Sequence, residues 1–377
     1  LKPVKKDTVV FVDGLAPVPS YGAGHGRACD VITALVELGF KVIVAIGERR
    51  SQDTHCLPLW PEGRVHLVYL SNETPLKTLL LNTARSIRAI WISRTHNIDR
   101  TAKLVLNFRT THPETLLVGD TEALTKLRYL PSDLDIHDHK NSGIVNKTVF
   151  EQLKSASRFD NLVCVNDFEV QLAQRALPAV KVSKVSSSFP TFQQNIKQSD
   201  RKHFLFLGAF HVTKCPNMAT VYWFCRYALP KIKMALPDAE FHIAGHLQPS
   251  VEFPDIVAER AKIIGPTDDL PSLLSQYRVF AAPTRIAAGI PHKVLQAMSL
   301  GLPAVISDLL GNQLPHDENL LPYIASPLDP AIFSRKCVEL YTDTGLWEKV
   351  RRDSLEEIAT HFSPERFTQS VNFVLKP

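Results

Sequence analysis

The sequence predicts an α/β protein built from two doubly wound parallel-sheet domains joined by a polar linker. Three observations carry that prediction. Short, apolar, β-branched runs alternate with helical stretches almost throughout the 377 residues. Such runs suit parallel strands covered on both faces. The alternation stops once, over Ser186 to Asp200, where Ser, Gln, Asn and Thr dominate around Pro190, and then restarts. A hydrophobic fraction of 45% over this length gives material for two cores, at roughly 150 residues per domain.

Taken in order, Val9 to Val12 reads as a buried strand and Lys41 to Ile46 as the next. Between them Ala28, Val31, Ile32, Leu35 and Leu38 recur at helical spacing, and Gly39 stops that helix as a C-cap residue would. Strand, helix, strand in this span is a βαβ unit, so the sheet is parallel. Further strands are expected at Arg64 to Leu70, Thr115 to Val118 and Asn161 to Val165. After the linker, strands are expected at His203 to Leu207, Glu240 to Ala244, Lys262 to Ile264, Val279 to Ala282 and Ala304 to Ser307. Asn217 to Ala235 reads as a helix kinked near Pro230, and the chain from about Pro330 reads as helical. The expected domains are residues 1–192, residues 193–360 and a terminal helix over residues 361–377. In such sheets ligands bind outside the carboxyl ends of the strands, which here places a cleft between the two domains.

Composition narrows the function classes. Lys+Arg number 43 against Asp+Glu 38, a net charge of +5. That mild, dispersed excess suits anionic small molecules and does not support nucleic-acid binding. No run is long and apolar enough for a transmembrane helix. The six cysteines are scattered with no CxxC pair, which predicts free thiols in a reducing compartment. A cytoplasmic protein, or one at the cytoplasmic face of a membrane, is expected. The first residue is Leu1, so the sequence is expected to be part of a longer polypeptide.

Two stretches could carry chemistry. After the first strand, Gly22-Ala23-Gly24-His25-Gly26-Arg27 opens a helix. Glycines at such a turn let backbone N–H groups approach an anion. The pattern is GxGxG in a long loop, not the compact GxGxxG turn a nicotinamide-dependent oxidoreductase needs. The second stretch runs from Ala282 through Arg285 and Gly289-Ile290-Pro291-His292-Lys293 to Gln296 and Met298. A strand enters a small-residue loop, and a helix begins near Pro291, which fits a first helical turn. The helix start offers free N–H groups, Arg285 and Lys293 add full charges, and Lys293 and Gln296 are three apart on one face. This is a diphosphate-binding design, although a lone lysine there is otherwise a solvated helix residue. Asp135, His137, Asp138 and His139 resemble a metal cluster in composition, but no second cluster sits at a helpful spacing. No metal is therefore expected.

From Phe204 to about Asp308 the chain resembles the nucleotide-sugar half of a GT-B glycosyltransferase, closest to glycosyltransferase family 4, the glycosyl transferases group 1. The stretches that carry the resemblance are Phe204-Leu205-Phe206-Leu207-Gly208, Pro216-Asn217, Leu236 to Gly245, Ile263-Ile264-Gly265 and Lys293 to Val305. The first half resembles the family through its Gly-rich loop and through Asn161 to Glu169. The resemblance implies two facing Rossmann-like domains, with the last helix crossing back onto the first. It implies Gly24, His25, Gly208, Lys214, Gly245, Gly265, Gly289, Ile290, Pro291, His292 and Gln296 around the donor. It implies Asp120, Lys293 and Arg285 at the reacting centre, Asp120 standing near the place of a His or Asp that touches the donor sugar. Two departures stand out. The family's pair of glutamates falls on Ala288 and Gln296, and of its Arg…Lys pair only Lys214 remains, with Ala209 and Phe210 near the arginine's place.

The expected function is transfer of a sugar from a UDP- or GDP-linked donor to a hydroxyl of a glycan or other acceptor. The resemblance implies retention of anomeric configuration, with no cofactor and no metal. The departures at Ala288 and Gln296 favour an alternative, a degenerate GT-B module that binds a nucleotide sugar or glycan without turnover.

Overall fold

In a computed structural model of the chain, residues 6–19, 23–48, 60–72, 75–130, 141–192, 197–315 and 321–376 are described. The first β-strand, β1, is Thr8–Asp13, and every residue of it is buried. Helix α1, Ala23–Glu37, follows and lays Ala28, Val31, Ile32 and Leu35 into a core. Gly39 ends it at φ 91°, and the N–H groups of Gly39 and Phe40 reach back to the carbonyls of Val36 and Leu35. That is the left-handed cap the glycine predicted. Strand β2 is Lys41–Ile46 and β3 is Val65–Tyr69.

Helix α2, Leu76–Thr83, leads to strand β4, Ile87–Ser93, which the sequence reading did not anticipate. Arg88 interrupts its apolar run and the preceding residues are helical, so periodicity alone hides it. Its guanidinium is satisfied by the Leu375 carbonyl at 2.8 Å, while Trp91 is fully buried. Helix α3, Thr95–Thr111, is followed by β5, Leu116–Asp120, then α4, Ser142–Leu153, β6, Asn161–Cys164, α5, Asp167–Ala176, and β7, Lys181–Lys184. Strand β7 also went unanticipated, because its outer residues are lysines. All seven strands are parallel in the order β3-β2-β1-β4-β5-β6-β7. The order reverses between β1 and β4, the switch point where such sheets open a crevice at the carboxyl ends.

The second sheet holds β8 (Lys202–Leu207), β9 (Phe241–Ala244), β10 (Ala261–Gly265), β11 (Tyr277–Ala282), β12 (Ala304–Ser307) and β13 (Ile324–Ser326). They are parallel in the order β10-β9-β8-β11-β12-β13, with the switch between β8 and β11. Helix α6, Pro216–Trp223, does not run straight into α7, Leu229–Ala235. Phe224–Ala228 between them is a π-helical turn. Pro230 has no N–H for the carbonyl four residues back, so the ladder slips one residue just before it. Helices α8, Asp255–Arg260, and α9, Leu270–Ser275, flank β10, and α10, His292–Ser299, precedes β12.

The short α11, Asp308–Gly311, precedes three terminal helices, α12 (Pro330–Thr342), α13 (Thr344–His361) and α14 (Pro364–Val374). The chain divides into two units, Leu1–Ser188 with Pro364–Pro377, and Phe189–Ser363. The last helix thus belongs to the first unit, where Phe367, Val371 and Val374 share a core with Val31 and Leu35 of α1. The five described cysteines carry free thiols.

Candidate functional site

In the second unit, the carboxyl ends of β8, β9 and β10 meet through three glycines. The Gly208 N–H donates to the Ala244 carbonyl, and the Gly245 N–H to the Gly265 carbonyl at 2.8 Å. Gly245 has φ 128°, and a Cβ there would lie 2.2 Å from the Gly208 carbonyl oxygen. A Cβ on Gly208 would press on Asn217 and Phe206 at about 3 Å. Gly245 and Gly265 (φ 84°) therefore shape the backbone at the sheet edge.

Lys293 is the chemical centre of this edge. It sits at the second position of α10, and its ammonium donates to Asn217 Oδ1 and lies 4.3 Å from the centre of the Phe206 ring. Among the described residues no carboxylate pairs with it. Burial pushes its pKa from 10.5 down to about 7. A half-buried cation answered only by an amide and an aromatic face lacks its counter-ion. Gln296 follows three residues on, on the same helix face and half-buried, and its side-chain amide has no partner among the described residues.

Pro291 is the N-cap of α10 and not its first helical residue, as its φ of −78° and ψ of 73° show. The preceding Gly289 takes φ 86°. Ile290 is half-buried against the core, and the His292 ring packs edge-on to Phe189 at 5.4 Å. Arg285 and Lys214 are both exposed and make no ion pair among the described residues. Asn217 and Phe206, which hold Lys293, were not anticipated as site residues. Asn217 could have been found, since it stands in one of the stretches that carry the resemblance.

In the first unit, the carboxyl ends of β1, β4 and β5 hold a buried charge network. Asp120 is 1% exposed, and both its oxygens accept from Arg27 Nη1, at 3.0 and 2.9 Å. Trp91 Nε1 and the Glu122 backbone N–H add to it. Arg27 also donates to the carbonyls of Val185 and Ser186. Asp120 was expected to touch the transferred sugar. The structure corrects this: its carboxylate is consumed by an ion pair tying α1 to β5 and the chain after β7.

The titratable group at this edge is Glu122, at φ 54°. It accepts from Ser93 Oγ at 3.1 Å and from Arg94 Nε at 3.0 Å. Burial pushes its pKa up to about 7, opposed by Arg94 and supported by Asp13 and Asp120. Arg94, itself at φ 74°, also faces Asp13 at 3.5 Å and His25 Nδ1 at 3.1 Å. A Cβ on Gly24 would lie 2.6 Å from Glu122 Oε2, so a residue without a side chain there makes room for this carboxylate. The expected Gly24–His25 loop thus meets Glu122 and Arg94, two residues that no spacing signalled. Gly22 and the residues Asp135, His137, Asp138 and His139 lie outside the described residues.

One trio elsewhere has the composition of a metal site. His203, Glu240 and His242 converge near the amino ends of β8 and β9, with His242 Nε2 2.7 Å from Glu240 Oε2. His203 Nδ1 accepts the Glu240 backbone N–H at 3.1 Å, so its neutral ring carries the proton on Nε2. That tautomer offers no lone pair to the trio's centre, and the cluster reads as hydrogen-bonded packing.

Two parallel, doubly wound units, with the terminal helix returned to the first, define the fold as GT-B. Residues 201–343 match the family model described as glycosyl transferases group 1. That segment carries the sequence signature of the group, and the fold of the whole chain is GT-B. By sequence no curated protein matches it. Among solved structures it is similar to sucrose-phosphate synthase from Thermosynechococcus elongatus, with a TM-score of 0.70 and 13% identity over 97% of this chain and 98% of that one. It is also similar to Anabaena HepE in complex with UDP and glucose, with a TM-score of 0.67 and 13% identity over 97% and 98%. A third is an α,α-trehalose-phosphate synthase from Burkholderia xenovorans in complex with glucose-6-phosphate, with a TM-score of 0.65 and 11% identity over 98% and 100%.

Proposed function

We propose that the protein transfers a sugar from a nucleoside-diphosphate sugar to a hydroxyl acceptor, with retention of configuration and without a resident metal. The observation that carries this reading is Lys293, a half-buried cation with no carboxylate partner among the described residues, at the carboxyl edge of the second sheet. A diphosphate supplies the missing charge, and the N–H groups at the start of α10 add partial positive charge. As the sugar–phosphate bond breaks, negative charge grows on the leaving oxygen, and a fixed ammonium in a desolvated setting stabilises it. Gln296 bonds the ribose. HepE was solved with UDP and with UDP-glucose, which favours UDP over GDP as the carrier. No helix among the described residues is long and apolar enough to cross a membrane. We place the reaction in the cytoplasm or at the cytoplasmic face of a membrane.

Ala288 and Gln296, where the resembling family carries glutamates, favour a second reading: a module that binds the donor without turnover. Incubation with UDP- and GDP-sugars and hexose acceptors in the presence of a chelator decides between them. Release of nucleoside diphosphate supports the transferase. Thermal stabilisation by UDP without release leaves the binding module. No stabilisation by either nucleoside diphosphate at millimolar levels removes the donor site altogether.

A further inference from the structure

The first unit holds a cavity of about 540 Å³ at the carboxyl edge of its sheet, beside the β1–β4 switch point. Gly14 and Leu15 after β1, Gly47 and Glu48 after β2, and Arg94, His96 and Arg100 at the start of α3 line it. The charges on this lining are not balanced. Arg94 is engaged with Asp13 and Glu122. Glu48 already interacts within the fold. Arg100 and His96, by contrast, have no hydrogen-bond or ion-pair partner among the described residues, and both side chains are exposed on this wall. Partial burial and the neighbouring Arg94 and Arg100 guanidinium groups hold the His96 pKa below its usual value, against Asp99. Arg100 is thus a cation on this wall with no carboxylate bonded to it among the described residues.

We propose that this cavity receives an acceptor sugar bearing an anionic group, a phosphate monoester or a carboxylate, held by Arg100 and His96. The inference rests on the transferase reading and adds the class of acceptor. Three features argue for an anion on a sugar and not for a bare ion. The volume lies in the range of small-molecule sites. The lining combines two glycines and a leucine, which leave room for a ring, with Arg100 and the His96 imidazole, which can donate to an anion. Arg100 presents a planar fork suited to two oxygens of one phosphate or carboxylate, and His96 on the preceding turn adds a third donor.

The test titrates the whole protein, loaded with UDP, with a hexose 6-phosphate, a hexuronate, the free hexose and inorganic phosphate. A hexose 6-phosphate or a hexuronate should bind about tenfold or more tightly than the free hexose. Which of the two binds better identifies the anion. Arg100→Ala should remove most of that advantage, His96→Ala part of it, and Arg100→Lys should restore some. UDP affinity should be unchanged in all three variants, since those residues lie in the other unit. Equal binding of the free hexose overturns the proposal, as does an anion preference that survives Arg100→Ala. Inorganic phosphate binding as tightly as the sugar phosphate shows an adventitious anion patch and overturns it too. Loss of UDP binding in the wild-type protein would instead strike at the donor reading.

Discussion

If Lys293 meets the phosphates as proposed, its lowered pKa makes nucleotide binding proton-coupled. In the free protein burial holds it near 7, so about half of the molecules carry a neutral amine at neutral pH. A bound diphosphate places full negative charge beside the nitrogen and favours the ammonium. The complex therefore binds more protons than the free protein wherever the solution pH exceeds the free-state pKa. By linkage, affinity must then fall as pH rises. If the complex stays protonated to about pH 9, the affinity scales inversely with one plus ten raised to the pH above 7, a loss of about 50-fold between pH 7 and pH 9. Below about pH 6 the nucleotide's own terminal phosphate begins to protonate, so the window above 7 isolates the lysine. Isothermal titration with UDP in two buffers of different ionisation enthalpy reads the proton count directly. It should show uptake of about half a proton per UDP at pH 7, rising towards one above pH 8. Lys293→Met should abolish both the uptake and the slope, and should weaken binding at pH 7 by about ten- to a hundredfold. A flat affinity from pH 7 to 9 with no proton uptake would refute the claim that Lys293 meets the phosphates.

Three further expectations concern neighbouring groups. Asp120→Ala leaves the buried Arg27 guanidinium without its carboxylate, so the protein should lose about 3–5 kcal/mol in urea unfolding. A double variant with Arg27→Met should recover part of that, and a loss under about 1 kcal/mol would show that the pair carries little. Glu122 has a pKa raised to about 7 from 4.5, so the folded state holds a proton that the unfolded chain has released between those values. Its contribution to stability is present below the unfolded pKa and is lost as pH rises through about 7. Glu122→Gln should flatten the decline of stability over that window in pH-dependent chemical denaturation, and an unchanged slope would assign the effect elsewhere. Gln296→Ala should cost about 1 kcal/mol, equally for uridine and for UDP, because its partner is the ribose. A loss confined to UDP would move Gln296 to the phosphates.

Much of the fold was legible because parallel strands in an α/β protein are buried on both faces and leave continuous apolar runs. β2 and β12 emerge with the bounds their composition suggests. β4 and β7 stayed hidden because Arg88, Lys181 and Lys184 interrupt the pattern, and their role is visible only when the Arg88 guanidinium finds the Leu375 carbonyl. The break before Pro230 was legible, whereas its form as a π-helical turn depends on how the ladder closes around the missing N–H. The candidate site divides in the same way. Lys293 stood out because charge, loop and helix start coincide locally. Its desolvation, and its hold by Asn217 and Phe206, come from residues distant in sequence. Asp120 was visible as an acid at the end of a strand, but its pairing with Arg27 spans 93 positions and no local pattern announces it.

The two sheet edges solve different electrostatic problems with the same topology. At the second, one ammonium is half-buried with no carboxylate partner among the described residues. On the proposed reading a diphosphate supplies that charge, and a neutral nucleoside does not. At the first, arginines and carboxylates are interleaved: Arg27 with Asp120, and Arg94 with Asp13 and Glu122. A network whose arginines are each answered by carboxylates offers no free cation to an anionic ligand. What it does supply is position. Arg94 and Glu122 are held with positive φ angles by several partners each, and such backbone strain persists only where the surroundings over-determine it. Selectivity at that edge must then come from groups the network leaves out, and on the cavity wall beside it these are His96 and Arg100. Charge left unpaired marks where each ligand's charge goes, and charge already paired holds the frame that receives it.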